Sequence, residues 1–144
     1  MDCSDPVKLL LSVPYDYTVE MAYQNNDILN TPTAKSINIG RLNLFMQNVA
    51  DKNPDCVFIT TFGVDGPAAT SILKYDGTII TYTYDNSRFS RIYGDIYSHE
   101  IVKLFTETTR NDNLIVTAYH AITPDDIDFV IYRDIIFIDV KRLY

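Results

Sequence analysis

The chain of 144 residues has no tryptophan and only two cysteines and two histidines. Two cysteines are too few for the disulfide framework of a small secreted domain, so we expect a hydrophobic core to stabilise the fold. A zinc site needs three or four converging ligands, and Cys3, Cys56, His99 and His120 lack metal-ligand spacing. We therefore predict no metal and no cofactor. Cys56 lies in an apolar segment and is expected to be a buried, inert thiol.

Basic residues and long apolar runs are also scarce. Lysine and arginine number 12 against 19 acidic residues, which gives a net charge of -7. A duplex-binding surface needs clustered cations for the phosphates, so this balance argues against nucleic acid as a partner. No apolar run approaches the ~20 residues of a membrane-spanning helix, and no transmembrane segment is expected. The negative charge would steer the chain toward a basic partner, although solubility alone is a sufficient reason for it.

Complete catalytic motifs are absent from the sequence. No serine stands in a Gly-x-Ser-x-Gly context, and the Gly63 to Gly66 segment lacks the Lys-Ser/Thr pair of a phosphate loop. The acidic Thr123 to Asp128 segment is typical of a helical turn or tight loop, and it lacks the glycine and the ligand offsets of a calcium loop. The sequence therefore favours a protein that is not an enzyme. The alternative is an enzyme whose site is assembled from distant residues, namely His99, Glu100, His120 and Asp128.

The apolar pattern predicts a single domain over residues 1–144, in which 1–17 form a loosely ordered lead-in arm. A short helix is expected to begin near Thr18, and a second runs from Asn38 to about Lys52 with an apolar stripe on one face. From there on the period is that of strands, predicted at Cys56 to Phe62, Ala68 to Tyr75, Thr78 to Tyr84, Tyr97 to Thr109, Leu114 to Ile122, Phe129 to Arg133 and Ile135 to Val140. For Tyr97 to Thr109 a helix is the alternative to the strand that we prefer. The result is an α+β fold, with two N-terminal helices packed on a mainly antiparallel, meander-rich sheet of about six strands.

The strongest local signal is the Asp76-Gly77 pair between two β-rich runs, which predicts a hairpin. With a two-residue turn, the expected cross-strand pairs are Tyr75 with Thr78, Leu73 with Ile80, Ser71 with Tyr82 and Ala69 with Tyr84. The face that carries Leu73, Tyr75, Ile80, Tyr82 and Tyr84 is expected to point to the core and to meet the second helix.

The polar residues that follow this hairpin suggest the one localised binding hypothesis. Tyrosine and arginine are enriched in binding hot spots, so a sheet end that presents aromatic and basic side chains could anchor a partner. The candidate binding residues are Tyr82, Tyr84, Asp85, Asn86 and Arg88, with Phe89 and Tyr93 beside them. The structural alternative is that the Asp, Asn and Arg side chains only hold the loop rigid.

Three segments resemble a small domain-of-unknown-function family found mainly in Gram-positive bacteria, many of whose members are exported or lipid-anchored. These are YTVEMAYQNNDILN at 17–30, GRLNLFMQNV at 40–49 and ILKYDGTIITYTYDNSR at 72–88. The second half of the chain does not share the pattern, and the cysteines common in that family's later strands are missing here. The resemblance implies an envelope location and no catalytic residues.

That resemblance gives weight to Cys3, which could be the lipid-bearing residue of a mature lipoprotein, although without a lipobox an incidental N-terminal cysteine is the preferred alternative. An extracytoplasmic location at the cell envelope is the expectation, with the cytoplasm as the alternative. The function expected is that of a non-enzymatic interaction or ligand-binding domain, whose partner is a protein or a small ligand. An inhibitor or immunity-type protein that binds a basic partner is the alternative.

Overall fold

The computed structural model describes residues 3–63, 67–87 and 95–138. The three helices in these ranges are α1 (Pro6–Leu11), α2 (Val19–Gln24) and α3 (Ile39–Ala50). The nine strands are β1 (Ile28–Asn30), β2 (Ser36–Ile37), β3 (Asp55–Thr61), β4 (Ala69–Tyr75), β5 (Ile80–Asp85), β6 (Ile96–Ile101), β7 (Lys103–Arg110), β8 (Leu114–Ile122) and β9 (Asp128–Phe137). The predicted α+β class is confirmed, and so is its mainly antiparallel sheet of six strands.

The main sheet has the strand order β2-β1-β3-β4-β5-β6. Adjacent strands in this sheet are antiparallel, except for β1 and β3, which run parallel. A parallel pair needs a long crossover, and α3 lies in that connection. On its inner face, this sheet packs Ile59, Leu73 and Tyr82 into the same buried cluster as Leu42 and Phe45 of α3. The prediction that the hairpin's apolar row points to the core is confirmed, whereas α3 itself packs mainly on β3 and β1.

The register of the β4–β5 hairpin differs from the predicted one by two residues. Tyr75 pairs with Ile80 and Leu73 with Tyr82, so the loop has four residues, Asp76 to Ile79. The reason is the Asp76 side chain, because its Oδ1 accepts hydrogen bonds from the amides of Thr78 (2.8 Å) and Ile79 (2.7 Å) and stabilises a wider turn. A shift of two keeps every side chain on its predicted face.

A second sheet with the order β7-β8-β9 completes the fold. The strand preferred for Tyr97 to Thr109 is confirmed as extended chain, but Val102 divides it into β6 of the main sheet and β7 of the second. The two predicted strands after Phe129 are one continuous strand, β9. One face of the second sheet, with Tyr119, Ala121 and Tyr132, packs against the main sheet's inner face. The opposite face, with Phe105, His120 and Val130, is here called the solvent face.

The residues predicted to form a loosely ordered arm contain helix α1. Proline at its first position and the Asp5 side chain, which accepts from the Lys8 amide, begin this helix. Its Leu10 is fully buried against Phe58 and Ile72 on the outer face of the main sheet. The main sheet is therefore covered on both faces.

Packing of α1 also corrects the expectation of an inert thiol at Cys56. Cys3 and Cys56 form a disulfide whose Cα atoms are 6.4 Å apart, across 53 residues of sequence. Their spacing along the chain offers no basis for pairing them, because they meet only when α1 lies on the outer face of the main sheet.

Candidate functional site

Five rings from three strands form the aromatic patch, which consists of Tyr82, Tyr84, Tyr97, His99 and Phe129. The β5–β6 register places Tyr82 opposite His99 and Tyr84 opposite Tyr97, all on the inner face. Ring centroids of Tyr84 lie 5.4 Å from Tyr97, 5.9 Å from His99 and 5.9 Å from Phe129. Phe129 from β9 closes the cluster at 4.8 Å from His99. Contacts of this length are typical of favourable aromatic packing.

The aromatic patch continues the core outward to solvent. Ile101, next to His99 along the inner row of β6, is 3 % exposed, whereas Tyr97 at the other end is 40 % exposed. Tyr82 is buried and forms the floor, and Tyr84, His99 and Phe129 are half-buried. Burial raises the pKa of the phenols of Tyr82 and Tyr84, so both remain neutral donors at physiological pH. These two tyrosines thus present ring faces and neutral hydroxyls rather than charge.

One polar atom inside the aromatic patch is unsatisfied. The Nε2 atom of His99 is buried and has no hydrogen-bond partner among the residues described. An unpaired buried polar group costs about 1–3 kcal/mol, and such groups are uncommon in folded proteins.

Beside the patch, the β8–β9 connection forms the acidic turn, Thr123 to Ile127. The Thr123 hydroxyl donates to Asp125 at 2.6 Å and accepts from the Ile127 amide at 2.9 Å. The hydrogen bond from Thr123 lowers the pKa of Asp125, and nearby His99 lowers it further. Asp125 and Asp126 are both exposed. The tight loop predicted here is confirmed, and within the described ranges no group of His, Cys, Asp and Glu residues could hold a metal ion.

The five predicted binding residues divide between two faces of the main sheet. Tyr82 and Tyr84 belong to the aromatic patch. Asp85 is buried on the outer face, where it accepts from the Ser87 amide at 2.8 Å, and the Asn86 amide bonds to the Asp95 carbonyl at 2.9 Å. Asp85 and Asn86 thus make hydrogen bonds with residues close by in sequence, the kind of contact that the structural alternative expects. Arg88, Phe89 and Tyr93 lie outside the described residues.

Sequence reasoning missed Tyr97, His99 and Phe129 as partners of Tyr84. Tyr97 and His99 are two residues apart in a predicted strand, and this spacing already places both side chains on one face. Their meeting with Tyr84 depends on the β5–β6 register, and the contact with Phe129 depends on how the two sheets pack. Neither can be read from a single strand's pattern.

The four residues proposed for an assembled enzyme site do not converge. His99 contacts Phe129 between the sheets, whereas His120 lies on the solvent face of the second sheet. Glu100 pairs with Thr81 and therefore points to the outer face of the main sheet. Only His120 and Asp128 meet, through a 2.8 Å contact between Nδ1 and a carboxylate oxygen.

A buried carboxylate lies at another site, under α2. Asp27 is completely buried and accepts hydrogen bonds from Tyr17 (2.7 Å), Asn25 (2.7 Å) and Thr60 (2.8 Å). Burial raises its pKa, while the three hydrogen bonds act in the opposite direction. These bonds connect the end of α2 to β3, so the arrangement is structural and its chemistry is already satisfied.

Comparison of the chain with known protein families, with curated proteins and with solved structures finds no match. Among the helices of the described residues, none is long and apolar enough to cross a membrane. The aromatic patch and the acidic turn therefore have to be interpreted from their own chemistry.

Proposed function

We propose that this chain is a binding domain that acts outside the cytoplasm and recognises a cationic segment of a partner protein. The observation that carries the proposal is that the half-exposed aromatic patch and the exposed carboxylates of the acidic turn are neighbours, since the turn ends two residues before Phe129 and Asp125 interacts electrostatically with His99. The partner class includes basic enzymes, for which this chain would be an inhibitor or immunity-type protein.

The chemistry of the two surfaces is complementary to arginine and lysine side chains. The face of a tyrosine ring attracts a cation, and arginine also stacks its planar guanidinium on the ring. Tyr84 is half-buried and Tyr97 is 40 % exposed, and Asp125 is an exposed carboxylate that interacts electrostatically with His99. The net charge of -7 would attract a basic partner over longer distances.

The unsatisfied Nε2 of His99 supports a role beyond stability for this region. An unpaired buried atom lowers the stability of the fold, and pairing it or replacing the histidine by an apolar residue would remove that cost. A hydrogen-bond acceptor on a bound partner would satisfy this atom.

Support for a location outside the cytoplasm comes from the Cys3–Cys56 disulfide, because such bonds persist in oxidising compartments. A lipid on Cys3 would need the same sulfur atom. The lipid anchor and the disulfide are therefore alternatives, and the mass of the protein from its native host distinguishes them.

The proposal is tested by titrating the protein with hexa-arginine, hexa-lysine and hexa-glutamate peptides and following backbone amide shifts by NMR. We expect shifts at Tyr84, Tyr97 and His99 with the cationic peptides only. Tyr97→Ala and Asp125→Asn should each weaken binding about fivefold or more. The matched controls are Tyr15→Ala, which removes a tyrosine 73 % exposed elsewhere, and Asp112→Asn.

Two results would contradict the proposal. One is equal binding by the patch variants and their controls, which would assign the interaction to net charge alone. The other is the absence of any shift in the patch at millimolar peptide concentrations.

A further inference from the structure

Strand β7 is an open edge of the second sheet. In the part of the chain that the structure describes, it pairs with β8 alone, in one register from Lys103 to Arg110 with no bulge. Every residue from Thr106 to Arg110 is exposed. An edge strand presents a row of unpaired amides and carbonyls to which another strand can add.

We propose that β7 pairs antiparallel with β7 of a second copy of this chain, about a twofold axis at Phe105. In this register Phe105 lies opposite Phe105 of the second copy, and Leu104 lies opposite Thr106. The solvent faces of the two copies then form one continuous surface, because residues directly opposite in an antiparallel pair share a face.

Charge complementarity selects this register. With Phe105 on the axis, Lys103 of each copy lies opposite Glu107 of the other, which gives two ion pairs by symmetry. A pairing centred on Glu107 instead places the two glutamates opposite each other, and one centred between Thr106 and Glu107 places Lys103 opposite Arg110. Like charges directly opposite are unfavourable, and opposite charges are favourable.

One other register also pairs opposite charges. A pairing centred between Thr108 and Thr109 would place Glu107 opposite Arg110, but it overlaps only four residues of each strand, against the five from Lys103 to Glu107 in the Phe105 register. It also joins the solvent face of one copy to the core-facing side of the other. The Phe105 register is therefore preferred, and Lys103 distinguishes the two because it takes no part in the shorter one.

The side chains at the axis are already held in place within one copy. The Phe105 ring stacks on His120 with centroids 4.5 Å apart and planes at 5°. The Lys103 ammonium lies 5.1 Å from the centroid of the same ring. Glu107 is 3.9 Å from His120 Nε2, so the partners of the proposed ion pairs lie along the same row. Ordering these side chains on association therefore loses little conformational freedom.

Such pairing would make one six-stranded sheet from the second sheets of two copies, with closed twofold symmetry. The dimer would carry two aromatic patches, and a partner with two cationic segments would bind it with increased avidity.

The test is charge reversal followed by sedimentation equilibrium over a range of protein concentrations. We expect the wild type to dimerise and Lys103→Glu to weaken dimerisation about tenfold or more, because it creates two Glu–Glu contacts. Glu107→Lys should do the same. The double variant K103E/E107K restores both pairs and should dimerise like the wild type. Lys35→Glu is the charge-matched control, since Lys35 is exposed in a loop far along the sequence.

Rescue by the double variant is the decisive result, because loss of folding in a single variant could not produce it. A wild type that stays monomeric at every concentration overturns the proposal. So does a dimer that Lys103→Glu leaves unchanged, which would point to another interface or to the shorter register.

Discussion

Breaking the Cys3–Cys56 disulfide is the perturbation whose magnitude follows most directly from the structure. The bond closes a loop across 53 residues that contains all three helices and the first two strands. The chain-entropy relation for a loop of this length gives a stabilisation of about 4 kcal/mol at 25 °C, through restriction of the unfolded chain. This is a large part of the stability of an ordinary domain. Reduction should also free α1, which buries Leu10 on the outer face.

The assay is urea denaturation of four proteins, namely wild type, Cys3→Ser, Cys56→Ser and the double variant, each with and without a reductant. All three variants should lose a similar free energy of unfolding, about 4 kcal/mol, and reductant should affect only the wild type. Equal effects of the single and double changes would show that the bond, not either side chain, is responsible. The reasoning is refuted if native oxidised protein reacts with a thiol-specific alkylating agent, or if reductant leaves the denaturation midpoint of the wild type unchanged.

Two further predictions concern the buried carboxylate and the glycines. Burial raises the pKa of Asp27 above its ordinary value of 3.8, so the folded state binds the carboxyl proton more tightly than the unfolded state does. The contribution of Asp27 to the free energy of unfolding therefore falls as the pH rises from the unfolded-state pKa through the folded-state pKa. Above that pH range, Asp27→Asn should therefore be more stable than the wild type in urea denaturation measured across pH. Asp27→Ala should lose about 3 kcal/mol of unfolding free energy, because Tyr17, Asn25 and Thr60 lose their acceptor. If the Asn variant keeps the wild-type dependence of stability on pH, the explanation is wrong. Gly77 has a φ of +101°, so Gly77→Ala should cost about 1 kcal/mol in the same assay. Gly40→Ala in α3, where an added Cβ meets nothing within 4 Å, should instead stabilise by about 0.5 kcal/mol, and equal effects at both positions would refute the backbone explanation.

Local patterns in the sequence predicted much of the secondary structure. The apolar stripe from Ile39 identified α3, and Thr18 identified the start of α2, whose Met21 amide it caps. Leu114 to Ile122 was predicted with both ends as observed. These signals are reliable because they arise from side chains close together along the chain. Asn38 is an instructive exception. It precedes α3 as expected, but its side chain bonds to the Asn26 and Asp27 carbonyls instead of capping the helix.

The candidate site was predicted only in part, for a physical reason. Tyr84 was identified because it stands at a strand end, but the residues chosen with it were its neighbours in sequence. In a strand, successive side chains point to opposite faces, so Asp85 lies on the other face of the sheet from Tyr84. Its real neighbours come from β6 and β9, through strand pairing and sheet packing.

The sequence by itself determined the class of fold, the faces of the central hairpin and the acidic character of the chain, because composition and periodicity are properties of the chain alone. Only the tertiary structure decided the division of the strands into two sheets, the disulfide between Cys3 and Cys56, the aromatic patch and the open edge at β7. Each of these depends on contacts between residues distant in sequence, and no local preference specifies them.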